Sequence, residues 1–283
     1  MPLQVACRLL LDFCQTILLG LRFALLPTCL DLLRRPSLIP KVSQVYMAHL
    51  WAVFGDGADE SARPMKESVI SAHAYGVVLD LGAGYGHTIQ YLDRTKVTRY
   101  VAVEPNALMH TKLCQVANQF GYIEADGSLV ILGCGAEEID TILAKVDEAS
   151  HPFDTIISVL TMCSLPSPRE TLTKIVKGLL KPGGQLLFYE HVRSPRDDVA
   201  RWQSFYEPIW GVFFDGCRLG QPSDVWVEDM KDVDEHGKQV WIWDEGRCWS
   251  ERLAEEVNLT WIVMGRFVRK GALQPNGSTP DLD

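Results

Sequence analysis

The sequence predicts an α/β fold, an open Rossmann-like sheet whose parallel strands end on a ligand. Three observations predict it. Short apolar runs at residues 77–81, 100–103, 129–132, 153–160 and 186–190 have the length and composition of buried strands. The first runs into Asp80-Leu81-Gly82-Ala83-Gly84-Tyr85-Gly86, an acid followed by three glycines at alternate positions. The second ends in a carboxylate, Glu104, 24 residues beyond Asp80. Glycines let a chain turn sharply and let a ligand approach the backbone. A helix is expected after the turn, with its free N–H groups facing the ligand. The spacing differs from the dinucleotide G-x-G-x-x-G, because the third glycine comes one residue early.

From the N-terminus, residues 3–26 form a long apolar stretch broken only by Arg8, Asp12 and Arg22. At about 100° per residue, Gln4, Arg8, Asp12, Gln15 and Arg22 fall within an arc of about 80°. One narrow polar stripe on an apolar helix suits a membrane-interface anchor, expected over residues 1–33. The alternative is a helix packed on its own domain. No small-residue cleavage site follows, which argues against a secretory signal. Pro27, Pro36 and Pro40 are expected to break the chain after this helix. Residues 34–75 then read as linker and lid: a helix at 42–54 carrying Tyr46 and Trp51, a polar loop at 56–64, and a helix at 65–75. Tyr46 and Trp51 are either lid residues or plain core aromatics.

At the tip of the second strand, Glu104 is placed to accept both hydroxyl protons of a ribose. After the third strand comes Gly133-Cys134-Gly135-Ala136-Glu137, and Leu180-Lys181-Pro182-Gly183-Gly184-Gln185 is expected as the turn into the fifth. The main domain is expected over 76–271, and the polar tail from Gln274 to Asp283 reads as disordered.

The whole chain has 283 residues, 47% of them apolar and 22% charged, which suits one large α/β domain with additions. A net charge of −9 opposes a nonspecific phosphate-binding surface. Eight cysteines are scattered without C-x-x-C or Cys/His ligand spacing, so neither a zinc site nor a disulfide scaffold is expected. Reduced thiols in a cytosol-facing domain are the simpler reading, and the sequons at Asn258 and Asn276 then never meet the glycosylation machinery.

The D-x-G-x-G-x-G turn resembles motif I of class I S-adenosylmethionine (SAM) methyltransferases, and the L-x-P-G-G turn is a frequent feature of the same enzymes. The resemblance implies a seven-stranded methyltransferase sheet. It also implies a SAM site of Asp80, Gly82, Ala83, Gly84, Gly86, Glu104, Ala136, Glu137 and Val159. Residues 160–165 (L-T-M-C-S-L), 190–192 (E-H-V) and 207–219 (E-P-I-W-G-V-F-F-D-G-C-R-L) are similar to segments of the membrane-associated methyltransferase-like seven family of thiol methyltransferases. That resemblance implies a small hydrophobic acceptor and the cytosolic face of an intracellular membrane, such as the endoplasmic reticulum or a lipid droplet. Related sequences in fungal natural-product pathways form methyl ethers or esters, so oxygen and sulfur acceptors both stay open. Residues 55–75 look longer than the family's linker, and 220–260 do not align.

SAM transfer is an in-line displacement, so the protein mainly aligns the partners. A thiol near ~8.5 is already partly ionised, whereas a phenol or alcohol needs a base. His191, at the end of the fifth strand, is the candidate base, with a structural role beside Glu190 or Asp215 as its competitor. Asp215 either positions the acceptor or forms a turn with Gly216. Cys163 and Cys217 read as packed thiols. Trp202, Phe205, Tyr206, Trp210, Phe213 and Phe214 either line the acceptor pocket or fill the core. A nucleic-acid amino methyltransferase is disfavoured, since Thr161-Met162-Cys163-Ser164 stands where such enzymes carry [N/D]-P-P-[Y/F]. A non-catalytic SAM-fold scaffold would have no need of Asp80, the three glycines and Glu104 together.

Overall fold

A computed structural model describes residues 3–146, 151–234 and 236–271; the polar tail lies outside them. The chain opens with α1 (Leu3–Gly20), a wider i→i+5 turn at Leu21–Leu25, and α2 (Leu26–Arg34). Pro27 does not break this segment, contrary to the sequence expectation. A proline inside a helix loses one N–H bond and crowds the carbonyl four residues back. The widened turn just before it provides the room. The helix stops instead at Pro36, where a short 3₁₀ turn (Pro36–Lys41) begins.

Residues 56–64 are helical, not a loop: α3 runs from Val42 to Lys66. Their polar residues misled the sequence reading, because one of them is an inward anchor. Asp59 is buried and its Oδ1 accepts a proton from buried Lys66 Nζ at 2.7 Å, one helical face along. Oδ2 of the same carboxylate accepts from Gln90 Nε2 at 2.6 Å and the Tyr91 hydroxyl at 3.0 Å. Pro64 is tolerated because the carbonyl it leaves unbonded belongs to exposed Glu60. A second wide turn, Glu67–Ser71, leads into the sheet.

The strands and helices that follow are β1 (Gly76–Leu81), β2 (Val97–Val103), α4 (His110–Gln119), β3 (Leu129–Leu132), α5 (Ile139–Val146), β4 (Phe153–Val159), α6 (Pro168–Leu179) and β5 (Leu180–Val192). Then come α7 (Asp197–Phe213), α8 (Ser223–Glu228), a small hairpin of β6 (Lys231–Val233) and β7 (Gln239–Trp241), β8 (Trp243–Trp249) and β9 (Trp261–Arg269). Among the described residues they build a seven-stranded sheet in the order β3-β2-β1-β4-β5-β9-β8. The first five strands are parallel; β9 and β8 close the edge antiparallel. Two apolar layers cover the faces, one centred on Leu79, Val101, Ile156 and Phe188, the other on Val78, Tyr100, Ile157 and Leu187. Alternate residues of each strand serve opposite layers, as the pleat requires.

The expected Pro182-Gly183-Gly184 turn is drawn into β5 as a bulge, the register jumping from Phe153/Leu180 to Thr155/Gln185. The helix expected after the glycine turn is also absent. Gly84 and Gly86 both adopt positive φ (+55° and +88°), which no right-handed helix accommodates, so the chain makes i→i+3 turns and a single 3₁₀ turn at Ile89–Tyr91.

α1 packs on the domain along one face and leaves another uncovered. Leu9 and Phe13 are buried, with Phe13 stacked on Tyr206 at 4.2 Å, so one face packs on α7. A second apolar face, including Leu11 and Leu18, points outward, 59% and 64% exposed.

Candidate active site

Parallel strands bring their C-terminal ends to one edge, and there the chain encloses a cavity of about 700 Å³. Gly82 and Gly84 follow β1, Glu104 follows β2, Ala136 and Glu137 follow β3, Val159 ends β4, and His191 lies near the end of β5; all of them line it. α3 roofs it with Met47, Leu50, Trp51 and Phe54, and α7 adds Trp210.

At one end Glu104 ties two loops together. Its Oε2 accepts the Gly84 N–H and its Oε1 the Asn106 N–H, both at 2.8 Å. Burial raises this carboxylate's pKa against the opposing pull of those two N–H donors. Gly84 favours glycine by its φ of +55°, and a Cβ there would stand in ordinary contact, 3.4 Å from the Trp51 indole. A side chain would fill the narrow space between the loop and the lid aromatic. Gly82, at φ +63°, faces the side chain of Thr161, which a Cβ would strike. Thr161 in turn donates to the Leu81 carbonyl at 2.9 Å, locking the turn after β4 to the turn after β1. An open glycine backbone beside a buried carboxylate at a strand tip fits the ribose and amino-acid portions of SAM.

Three expected cofactor residues lie behind this wall, outside the cavity lining. Asp80 is buried, accepts the Tyr100 hydroxyl at 2.6 Å through Oδ2, and is pushed up to about 7, chiefly by burial. Ala83 packs into the sheet-side core, and Gly86 sits against Ile89 and Leu113. All three shape the loop from the rear. Of the proposed lid aromatics, Trp51 lines the cavity, whereas Tyr46 packs edge-on against Phe213 in a separate cluster.

The other end of the cavity is the larger departure from the sequence reading. His191 Nε2 lies 3.1 Å from Cys217 Sγ, and Cys163 Sγ completes a group whose ligand atoms all lie within 4.8 Å of one another. Trp210 Nε1 donates to the same Cys217 sulfur at 3.3 Å. The neighbouring Cys217 sulfur and burial push the Cys163 thiol well above its ordinary range. The cysteines are packed, as expected of small buried thiols, but they are packed together and on the cavity wall. Residues 163, 191 and 217 are far apart in sequence, where no ligand spacing is visible, and adjacent in space. The signal available beforehand was that each falls in one of the three family-like segments.

His191 is not the group that holds Glu190. That carboxylate points the other way, its Oε1 accepting from Ser158 Oγ at 2.7 Å, Thr161 N at 2.9 Å and Met162 N at 3.1 Å. Glu190, which sequence reasoning did not select, thus shapes the turn that delivers Cys163. Asp215 lines the cavity and forms the expected turn, at φ +48° before Gly216 at +81°. Its Oδ1 accepts the Ser43 hydroxyl at 2.6 Å, linking this turn to the start of α3. Of the aromatic stretch, Trp210 and Phe214 line the cavity, Tyr206 packs in the core, and Phe205 is 68% exposed.

A family profile described as a methyltransferase domain matches residues 50–239. Thiol S-methyltransferase TMT1B of Rattus norvegicus is 31% identical over 159 residues, 56% of this chain and 57% of that protein. Its Homo sapiens counterpart is 27% identical over 182 residues, 62% of this chain and 70% of that protein. The match thus spans little more than half the length of the rat relative. An O-methyltransferase family protein from Burkholderia thailandensis superposes with a TM-score of 0.54 at 13% identity, covering 83% of this chain and 63% of its own. The CurJ carbon methyltransferase superposes with a TM-score of 0.51 at 16% identity, covering 86% and 70%. Solved structures this distant establish the fold.

Proposed function

The chain belongs to the methyltransferase domain family and takes its methyl group from SAM, and from that premise we propose that it methylates the sulfur of a small hydrophobic thiol at a membrane surface. The observation that carries the reading is the cavity itself, which runs from the glycine loop and Glu104 to a sulfur-rich end at Cys163, His191 and Cys217. The similarity to two thiol S-methyltransferases supports a sulfur acceptor.

Bound SAM supplies a methyl group activated on a sulfonium. The protein's own residues do the rest. Glu104 accepts the ribose hydroxyls, Gly82 and Gly84 let the donor lie against the backbone, and Ala136, Glu137 and Val159 flank the base. Leu50, Trp51, Phe54 and Leu165 exclude water and select an apolar acceptor. A thiol near ~8.5 needs only modest help to ionise, and His191 lines the cavity at its sulfur-rich end. Asp215 positions the lid through Ser43.

The N-terminal segment Gln4–Arg34 is long and apolar enough to cross a membrane by length and composition. With Leu9 and Phe13 already committed to the domain, it lies in the interface with its second apolar face toward lipid. Thr16 of the same helix lines the cavity, so a lipid-dissolved acceptor enters from that side.

The test is mass spectrometry of purified protein with SAM and two acceptor pools, one of hydrophobic thiols such as 4-chlorothiophenol, the other of matched phenols and carboxylic acids. Methylation confined to the thiols supports the reading. Methylation confined to oxygen acceptors replaces it with ether or ester formation in the same pocket, with His191 as the base that a phenol requires.

A further inference from the structure

Cys163, His191 and Cys217 are drawn from three separate elements: the 3₁₀ turn after β4, strand β5, and the loop after α7. Their ligand atoms lie within 4.8 Å of one another, and all three residues face the cavity shared with Gly84 and Glu104. Two sulfurs and one imidazole nitrogen holding a tetrahedral ion with bonds of ~2.3 and ~2.0 Å would stand under 4 Å apart. The observed 3.1 Å from Nε2 to Cys217 Sγ already approaches that arrangement.

We propose that these three residues form a Cys₂His site for Zn²⁺, with the fourth position open to the cavity and taken by the sulfur of the acceptor. The proposal rests on the thiol reading above and names the group that binds the acceptor atom.

The chemistry of the donor set is specific. Thiolate and imidazole donors are what zinc selects, whereas Mg²⁺ and Ca²⁺ require oxygen. Three protein ligands with an open fourth position distinguish a catalytic zinc from a closed structural one. Two thiolates also neutralise the ion, so the buried site carries no net charge before the acceptor enters. Trp210 supplies a supporting contact, its indole N–H donating to Cys217 Sγ at 3.3 Å, the kind of bond that holds a ligating sulfur in place. Glu190 does the same for Cys163 at one remove, by fixing the backbone of Thr161 and Met162. His191 reaches the cluster through Nε2, which faces the Cys217 sulfur.

The step balances. The acceptor gives its S–H proton to solvent on binding as a thiolate. Its sulfur lone pair then forms the new S–C bond, while the donor's C–S pair returns to the donor sulfur. The thioether product is neutral and a poor ligand, so it leaves.

The experiment uses the full chain purified without chelator. Zinc measured by mass spectrometry is expected near one ion per chain, and near background in a Cys163→Ser/Cys217→Ser double variant that retains a cooperative thermal transition. Replacing zinc with Co²⁺ in the wild-type protein is expected to give a sulfur-to-cobalt charge-transfer band and tetrahedral d–d bands. Addition of 4-chlorothiophenol should shift the d–d bands, and 4-chlorophenol should not. Zinc at background in the wild-type protein overturns the proposal even if thiols are methylated, which leaves the thiol reading intact. Zinc content unchanged in the double variant also overturns it. A cobalt spectrum indifferent to thiols removes the acceptor from the site, whatever the methylation assay reports.

Discussion

The carboxylate of Glu104 accepts the backbone N–H of Gly84 at 2.8 Å. The residue proposed to hold the ribose therefore also holds the shape of the glycine loop beneath it. Glu104→Ala loses the acceptor for both ribose hydroxyls and releases the Gly84 and Asn106 amides. Hydrogen bonds to a charged group are worth about 1.5–3 kcal/mol each, so SAM affinity should fall on the order of 100-fold or more by calorimetry. Near-normal binding would remove Glu104 from the cofactor site.

The buried Asp59–Lys66 pair joins α3 to the segment after the glycine loop, through Gln90 and Tyr91. Removing one partner of a buried pair costs about 3–5 kcal/mol, because the other is left charged and unpaired. Asp59→Ala should lower the thermal midpoint by roughly 10 °C. A double change to Asp59→Leu and Lys66→Met should recover most of that loss. An additive double variant would show that the pair is not coupled.

Asp80 makes stability depend on pH in a stated direction. Its pKa in the folded chain is about 7, above its ordinary value of 3.8, because burial disfavours the charge. Between those values the folded state holds a proton that the unfolded state has lost, so stability falls as pH rises through this window and levels off above it. Asp80→Asn carries no such charge. The midpoint of the variant minus that of the wild-type protein should therefore grow from pH 5 to pH 8 in a calorimetric series. A difference that is flat with pH would place the titration elsewhere.

The outward face of α1 supplies the fourth test. Leu11 and Leu18 are mostly exposed and lie two turns apart on one face, away from buried Leu9 and Phe13. Leu11→Glu with Leu18→Glu should abolish flotation with phospholipid vesicles while leaving the thermal midpoint within a few degrees. Flotation unchanged by the pair would confine α1 to packing on the domain.

Much of the architecture could be read from short-range pattern. Apolar runs of strand length, a turn that needs positive φ at Gly82, Gly84 and Gly86, and a carboxylate at the next strand tip are local requirements, so they are written locally. Where the reading failed, a distant partner had changed the meaning of a residue. Residues 56–64 look like a loop because they are polar, yet Asp59 is polar in order to meet Lys66 inside. Pro27 reads as a break until the wide turn before it is seen, and that Tyr100 holds Asp80 from behind is visible only in the fold. The same reason governs the sulfur-rich end of the cavity. Sequence spacing detects metal or catalytic clusters only when the ligands share one element. Cys163, His191 and Cys217 come from a turn, a strand and a loop; β4 and β5 deliver the first two to one edge of the sheet, and the loop after α7 folds Cys217 onto them.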